Sequence, residues 1–204
     1  VRRIRTVNDA CAIGLSLEID DGQTEVEQDV SQVAQLNALI RNVPDFPKPG
    51  IMFRDFTPLL ADPRGLALAV ELMANPFRGQ RIDVVVGAES RGFIFGTAIA
   101  QALSAGFVPV RKPGKLPGKV HGVDYALEYG TDRLELHADS IAAGKRVLLI
   151  DDLLATGGTL RACCELLTKC QAQIVGIAVL IELAGLNGRE KFKQYGELHS
   201  VLKY

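Results

Sequence analysis

Two adjacent carboxylates, Asp151 and Asp152, stand at the end of the apolar run VLLI and directly before the small-residue turn LLATGGT. Like charges side by side at a strand end repel, and burial makes ionising either one harder, so something must offset them: a metal ion or hydroxyl donors. Ala155, Thr156, Gly157, Gly158 and Thr159 follow, where an apolar strand gives way to a helix. Backbone N–H groups at a helix start lack internal partners, the helix dipole favours an anion there, and small side chains let a phosphate approach the main chain. Carboxylates suited to a sugar diol, beside a nest suited to a monophosphate, describe a ribose-5-phosphate site. An ordinary strand–turn–helix connection with a polar cap would account for an isolated TGG, but not for the two acids before it. The G-x-x-x-x-G-K-[ST] loop of nucleoside triphosphatases does not occur.

Three further segments carry usable side chains. GAESRGF at 87–93 follows the apolar run IDVVVG, its glycines permit a tight turn, and Arg91 offers a forked donor to phosphate oxygens. Arg111, Lys112, Lys115 and Lys119 put four cations within nine residues, interleaved with Pro113, Gly114, Pro117 and Gly118. That composition disfavours regular structure and reads either as a solvated basic loop or, from its place after the strand VPVR, as an anion clamp. In IMFRD at 51–55, Met52 and Phe53 could face a flat heterocycle, although most phenylalanines are core residues. Cysteine and histidine point to no metal centre: Cys11, Cys163, Cys164 and Cys170 lack C-x-x-C spacing, and His121, His137 and His199 are far apart in the chain. Free thiols in a reducing compartment are the expectation.

The elements that must hold these groups alternate. Val33, Leu36, Leu39, Ile40 and Val43 recur at helical spacing, and Pro44 is expected to end that helix. Residues 63–74 predict an amphipathic helix, 82–87 a buried strand, 92–104 a helix and 106–111 a strand. Further strands are expected at 147–152 and 174–183, a helix to about Lys169 between them, a short helix from Asn187, and an edge strand in LHSVLKY. Continuous apolar strands alternating with helices imply a parallel sheet covered on both faces, with ligands beyond the carboxyl ends of its strands.

With 204 residues, 48% hydrophobic content and a formal net charge of −1, the chain has the makings of one globular α/β domain. Chain-wide disorder and a generally basic nucleic-acid binder are both disfavoured. No stretch reaches the roughly 18 apolar residues of a membrane span, so no membrane partner is expected. The neutrality is uneven: residues 1–30 sum to −4 and residues 31–204 to +3. Residues 1–30 are therefore expected to be a poorly ordered acidic extension, and 31–204 the functional domain. Arg2, Arg3 and Arg5 before ACAIGLSL weakly imitate a secretion signal, but Asn8 and Asp9 interrupt it, and a cytoplasmic location is expected.

The turn at 151–159 resembles the signature of the type I phosphoribosyltransferases, and its LLATGGT form is similar to that of the adenine-using members. The resemblance runs from about residue 36 to 203 through FPKPGIMFRD at 46–55, GAESRGF, VRKPGKLPG at 110–118, YALEYG at 125–130 and LNGREKF at 186–192. It implies a five-stranded parallel sheet flanked by helices, with a small hood over the base. It implies the purine-salvage reaction of adenine with 5-phosphoribosyl-1-pyrophosphate (PRPP), giving AMP and pyrophosphate. It also implies Mg²⁺, held indirectly by Asp151 and Asp152 through ribose and water, and a homodimer. By the same resemblance Ser90, Arg91, Arg111, Lys112 and Lys115 bind pyrophosphate, and the Glu89–Ser90 peptide is cis. Met52, Phe53 and Arg54 would bind adenine. YALEYG would be a closing loop carrying Glu128 as acid/base and Tyr129 over the closed site, with Tyr125 assisting; read alone, Glu128 is an ordinary hairpin glutamate. Arg189 is a weaker candidate for dimer or hood contacts. A related enzyme using another purine is one alternative. A PRPP-sensing regulator that binds DNA is another, which an acidic extension disfavours.

Overall fold

The computed structural model describes residues 21–126 and 130–204. In chain order these form α1 (Asp21–Ala38), β1 (Arg41–Pro44), β2 (Met52–Asp55), α2 (Thr57–Ala61), α3 (Pro63–Ala74), β3 (Val84–Ala88), α4 (Gly92–Ala102) and β4 (Gly106–Val110). There follow β5 (Val120–Ala126), β6 (Thr131–His137), β7 (Arg146–Leu154), α5 (Gly158–Lys169), β8 (Gln173–Glu182), a 3-10 turn at Gly188–Phe192 and β9 (Glu197–Lys203).

Five strands make one parallel sheet in the order β4-β3-β7-β8-β9, as expected. Side chains alternate across β7 with the period of two that a strand imposes. Leu148 and Ile150 join Met73, Phe77, Phe95 and Ile99 on the face covered by α3 and α4. Val147 and Leu149 join Leu160, Cys163, Cys164 and Leu167 of α5 on the other. Burial on both faces explains why the central strands read as continuous apolar runs. The described cysteines, Cys163, Cys164 and Cys170, are buried free thiols.

One local expectation needs correction. The helix expected from residue 31 to Val43 begins at Asp21 and ends at Ala38, and residues 41–44 are a strand. Arg41 pairs antiparallel with Asp55, Val43 with Phe53 and Pro44 with Met52. Pro44 thus closes a strand rather than a helix: of the apolar series, Val33 and Leu36 lie in α1, Leu39 and Ile40 in the connection after it, and Val43 in the hairpin strand. The second hairpin, in which Val120–Ala126 pairs with Thr131–His137, agrees with the hairpin reading of the YALEYG segment, although strand–helix alternation alone gives no sign of it.

The β1–β2 hairpin is clamped by Asp55. Its Oδ1 accepts from the Thr57 hydroxyl at 2.7 Å and the Thr57 N–H at 2.9 Å, and its Oδ2 accepts from Arg41 Nε at 2.9 Å. The Thr57 hydroxyl, the Thr57 N–H and Arg41 together lower its carboxyl from the ordinary 3.8 to about 2. A lowered folded-state value adds stability above the unfolded value and loses it as pH falls through the folded one. Wild type should therefore lose its advantage over Asp55→Asn as pH falls from 3.8 to about 2. Melting curves across that range check this, and a constant difference would contradict it.

Candidate functional site

The carboxyl ends of β3, β4 and β7 open onto loops 89–91, 111–118 and 155–157. Asp151 and Asp152, near the carboxyl end of β7, are buried at 7% and 4% exposure. The Asp152 N–H donates to Asp151 Oδ1 at 2.9 Å. Burial first, then repulsion from Asp152, pushes the Asp151 carboxyl well above its ordinary range. Burial also raises Asp152, with the charge of Arg91 opposing. Arg91 Nε lies 2.9 Å from Asp152 Oδ2 as an ion pair. It lacks hydrogen-bond alignment, so this buried oxygen has no hydrogen-bond partner among the described residues.

The turn that follows is set by Gly157, whose φ of +80° is a left-handed conformation that a side chain would strain. Helix α5 starts at the next residue, which leaves the backbone N–H groups of its first turn without helical partners. Asp151, Asp152, residues 155–159 and the Glu89–Arg91 loop enclose a cavity of about 320 Å³. Every residue of the sequence-derived ribose-phosphate set therefore meets in one place, together with Ser90 and Arg91. The Glu89–Ser90 peptide is cis.

A second cavity, of about 160 Å³, adjoins the first through Arg91, Asp152 and Leu153. Met52, Phe53 and Arg54 of the β1–β2 hairpin line it, with Phe56, Ile181 and Leu183. It is an apolar slot with one aromatic hairpin side, the shape a flat heterocycle needs. Phe46 packs edge-on against Phe53 with ring centroids 5.1 Å apart. Arg54 donates to Asn42 and lies 4.1 Å above the Tyr204 ring.

The basic loop is arranged differently from a row of cations facing the cavity. Arg111 Nε donates to Glu89 Oε2 at 3.1 Å, and the same oxygen accepts from the Lys112 N–H. Burial opposes charge on Glu89, but these donors outweigh it and hold the carboxyl below its ordinary range. Lys112 Nζ is bonded to Asp132, and to the Tyr125 hydroxyl at 3.3 Å. Burial works against the Lys112 charge, yet bonds to Asp132 and Tyr125 raise its pKa. Lys115 is exposed, and none of Arg111, Lys112 and Lys115 lines the larger cavity. Glu128 and Tyr129 lie outside the described residues. Arg189 donates to both oxygens of Glu182, to Ser200 Oγ and to the Leu198 carbonyl.

Sequence reading passed over Glu89 and Asp132 as contributors. Glu89 could have been suspected as the acid inside GAESRGF facing a basic loop; Asp132 carries no local signal, since only the β5–β6 pairing brings it opposite Tyr125. Among the described residues no three His, Cys, Asp or Glu side chains are grouped to hold a metal by themselves. No helix of these residues is long and apolar enough to cross a membrane.

Comparison with known proteins gives one family and one fold. Residues 57–198 match the phosphoribosyl transferase domain model. An adenine phosphoribosyltransferase of Rhodopirellula baltica is 59% identical over 165 residues, covering 81% of this chain and 80% of that relative. The crystal structure of adenine phosphoribosyltransferase from Rhodothermus marinus superposes with a TM-score of 0.81 at 50% identity, covering 86% of this chain and 99% of that one. The Saccharomyces cerevisiae enzyme, solved with an imino-altritol bisphosphate and adenine, superposes at 0.80 with 37% identity, covering 84% and 99%.

Proposed function

This chain belongs to the phosphoribosyl transferase family, and from that premise we propose that it is an adenine phosphoribosyltransferase of purine salvage. The reaction joins adenine to the ribosyl carbon of PRPP and releases pyrophosphate, leaving AMP. The observation that carries this reading is the adjacency of two unlike cavities: a polar one built on Asp151, Asp152 and the 155–159 turn, and an apolar one under the β1–β2 hairpin, sharing Arg91.

In this reading Ala155, Thr156, Gly157, Gly158 and Thr159 hold the 5′-phosphate, so binding energy far from the reacting carbon positions it. Asp151 and Asp152 accept from the ribose hydroxyls. Ser90, Arg91, Arg111, Lys112 and Lys115 receive pyrophosphate. For Lys112 that means exchanging Asp132 for a phosphate oxygen. Met52, Phe53 and Arg54 bind the base from the hairpin side of the slot. As the ribosyl–pyrophosphate bond breaks, electrons leave with pyrophosphate; the purine nitrogen attacks, and its proton passes to Glu128. The role proposed for Tyr129 is to keep water from the cationic ribosyl centre.

The residues fit Mg²⁺. That ion takes few protein carboxylates and fills its shell with water and substrate oxygens, and Asp151 and Asp152 supply a buried pair of which one oxygen has no hydrogen-bond partner among the described residues. When bound, Mg²⁺ neutralises charge on the pyrophosphate. We further propose a homodimer in the cytoplasm, with neither nucleic acid nor membrane as partner, and with residues 31–204 as the catalytic domain. Buried free thiols support a reducing compartment.

The test is direct. Purified protein with Mg²⁺ and PRPP should make AMP from adenine in preference to product from hypoxanthine, guanine or xanthine. No AMP overturns the reading, and a preference for another base changes its substrate. Glu128→Ala should lower the chemical step; unchanged turnover, with chemistry rate-limiting, would remove Glu128 from its role.

A further inference from the structure

The segment LNGREKF has no place in the chemistry above, yet it lies directly behind the 155–159 turn. We propose that Gly188, Lys191 and Phe192 are positioning residues that set the shape of this turn, and so the affinity for the substrate's 5′-phosphate.

Three contacts carry this. Lys191 Nζ donates to the Thr156 carbonyl at 2.5 Å. A trans peptide is planar, with its C=O and N–H on opposite sides. Pinning the Thr156 oxygen on Lys191 therefore turns the Gly157 N–H of the same peptide away from Lys191. Lys191 itself does not line the cavity, whereas Thr156 and Gly157 do. Phe192, 1% exposed, packs its ring where a Cβ on Gly157 would come within 2.9 Å, so it supports the left-handed residue from behind. Gly188 backs onto Ala155 so closely that an added Cβ would sit 2.2 Å from the Ala155 carbonyl oxygen.

The support is anchored to the sheet rather than to the turn alone. Arg189, between Gly188 and Lys191, is bonded to both Glu182 oxygens, to Ser200 Oγ at 2.8 Å and to the Leu198 carbonyl at 2.6 Å. These residues belong to β8 and β9, so a rigid element of the sheet fixes a segment that in turn fixes the turn. Precise donor placement on a phosphate needs this kind of support, because a donor displaced by a fraction of an ångström loses much of a charge-assisted bond.

This inference rests on the 155–159 turn being the 5′-phosphate site, and the experiment separates the two. AMP and pyrophosphate are titrated calorimetrically, each with Mg²⁺, against wild type, Lys191→Met, Lys191→Arg, Gly188→Ala and Thr159→Ala. Lys191 is exposed, so its variants should fold; Gly188→Ala is a second, stronger probe. Lys191→Met should weaken AMP about tenfold, as loss of one hydrogen bond that orders a charged contact would. Pyrophosphate affinity should stay within about twofold, and Lys191→Arg should restore AMP binding. Gly188→Ala should weaken AMP more than Lys191→Met does. If Thr159→Ala weakens AMP but Lys191→Met and Gly188→Ala do not, the positioning role is overturned. If both ligands weaken equally in the Lys191 variant, its effect is general structure and the role is again overturned. If Thr159→Ala leaves AMP unchanged, the phosphate site itself is misplaced and the inference falls with it.

Discussion

Replacing Asp151 by Asn should make the free protein more stable and the enzyme much worse. Asp151 is buried beside a second carboxylate, and both burial and that neighbour push its pKa well up. A raised carboxyl pKa means that folding is favoured while the group is protonated. The advantage is complete below the ordinary value of 3.8 and is lost as pH rises toward the folded-state value. At neutral pH the wild-type protein therefore carries a penalty that the neutral amide does not. The Asn oxygen can still accept from the Asp152 N–H, a bond of 2.9 Å in the wild type. The melting temperature of Asp151→Asn should exceed that of wild type by a few degrees at pH 7, with the gap closing as pH falls below about 4. In the same protein kcat/KM should fall about 100-fold or more, because an acceptor for the ribose hydroxyls is lost from a water-poor site. Melting scans across pH, with steady-state kinetics on the same preparation, check both. A variant less stable than wild type at pH 7 would mean that another charge already neutralises the pair.

Arg91 should give the second large effect. It touches Asp152 as an ion pair, lies 5.7 Å from the centre of the Phe56 ring, and lines both cavities. Arg91→Met should lower kcat/KM about 100- to 1,000-fold, the scale for losing an electrostatic donor at a centre where charge develops. Because the residue borders both cavities, the KM for adenine and that for PRPP should both rise. A change confined to PRPP would show that Arg91 serves only the phosphate side. Arg91→Lys should recover a minor part of the loss, since an ammonium is a point donor and cannot reproduce the guanidinium fork. The effect on stability should be modest: Arg91 is 46% exposed in its side chain, so water screens its pairing with the more deeply buried Asp152.

These effects show why some of the site was readable from the chain and some was not. The ribose-phosphate set was contiguous: Asp151 to Thr159 sit in nine successive residues, and a strand end followed by a helix start places them together by local geometry alone. GAESRGF was readable for the same reason. The β1–β2 hairpin was harder. Met52, Phe53 and Arg54 could be named, but their element could not, because residues 41–44 are a strand only through pairing with 52–55, eleven or so residues away. Helical spacing in Val33, Leu36, Leu39, Ile40 and Val43 pointed the other way, as a short apolar pattern can fit two periods when long-range pairing is invisible.

The basic loop makes the point in charge rather than shape. Arg111 and Lys112 were legible as cations after a strand, but not their partners: Glu89 comes from the loop after β3, and Asp132 from the far strand of a hairpin. Lys191 and Gly188 were legible as part of a motif, yet only tertiary packing sets them behind Thr156 and Ala155.

By itself, then, the sequence determined the parallel α/β class, the order of its central elements and the groups that meet around the polar cavity. Each follows from interactions within one strand–turn–helix unit or from the burial of an apolar run, and both leave their period in the chain. Tertiary structure alone decided that the polar and apolar cavities share Arg91, that the carboxylate pair is buried deeply enough to shift its protonation, and that Gly188, Lys191 and Phe192 pack behind the 155–159 turn. Those outcomes depend on desolvation and on contacts between residues distant in sequence, which no local spacing encodes.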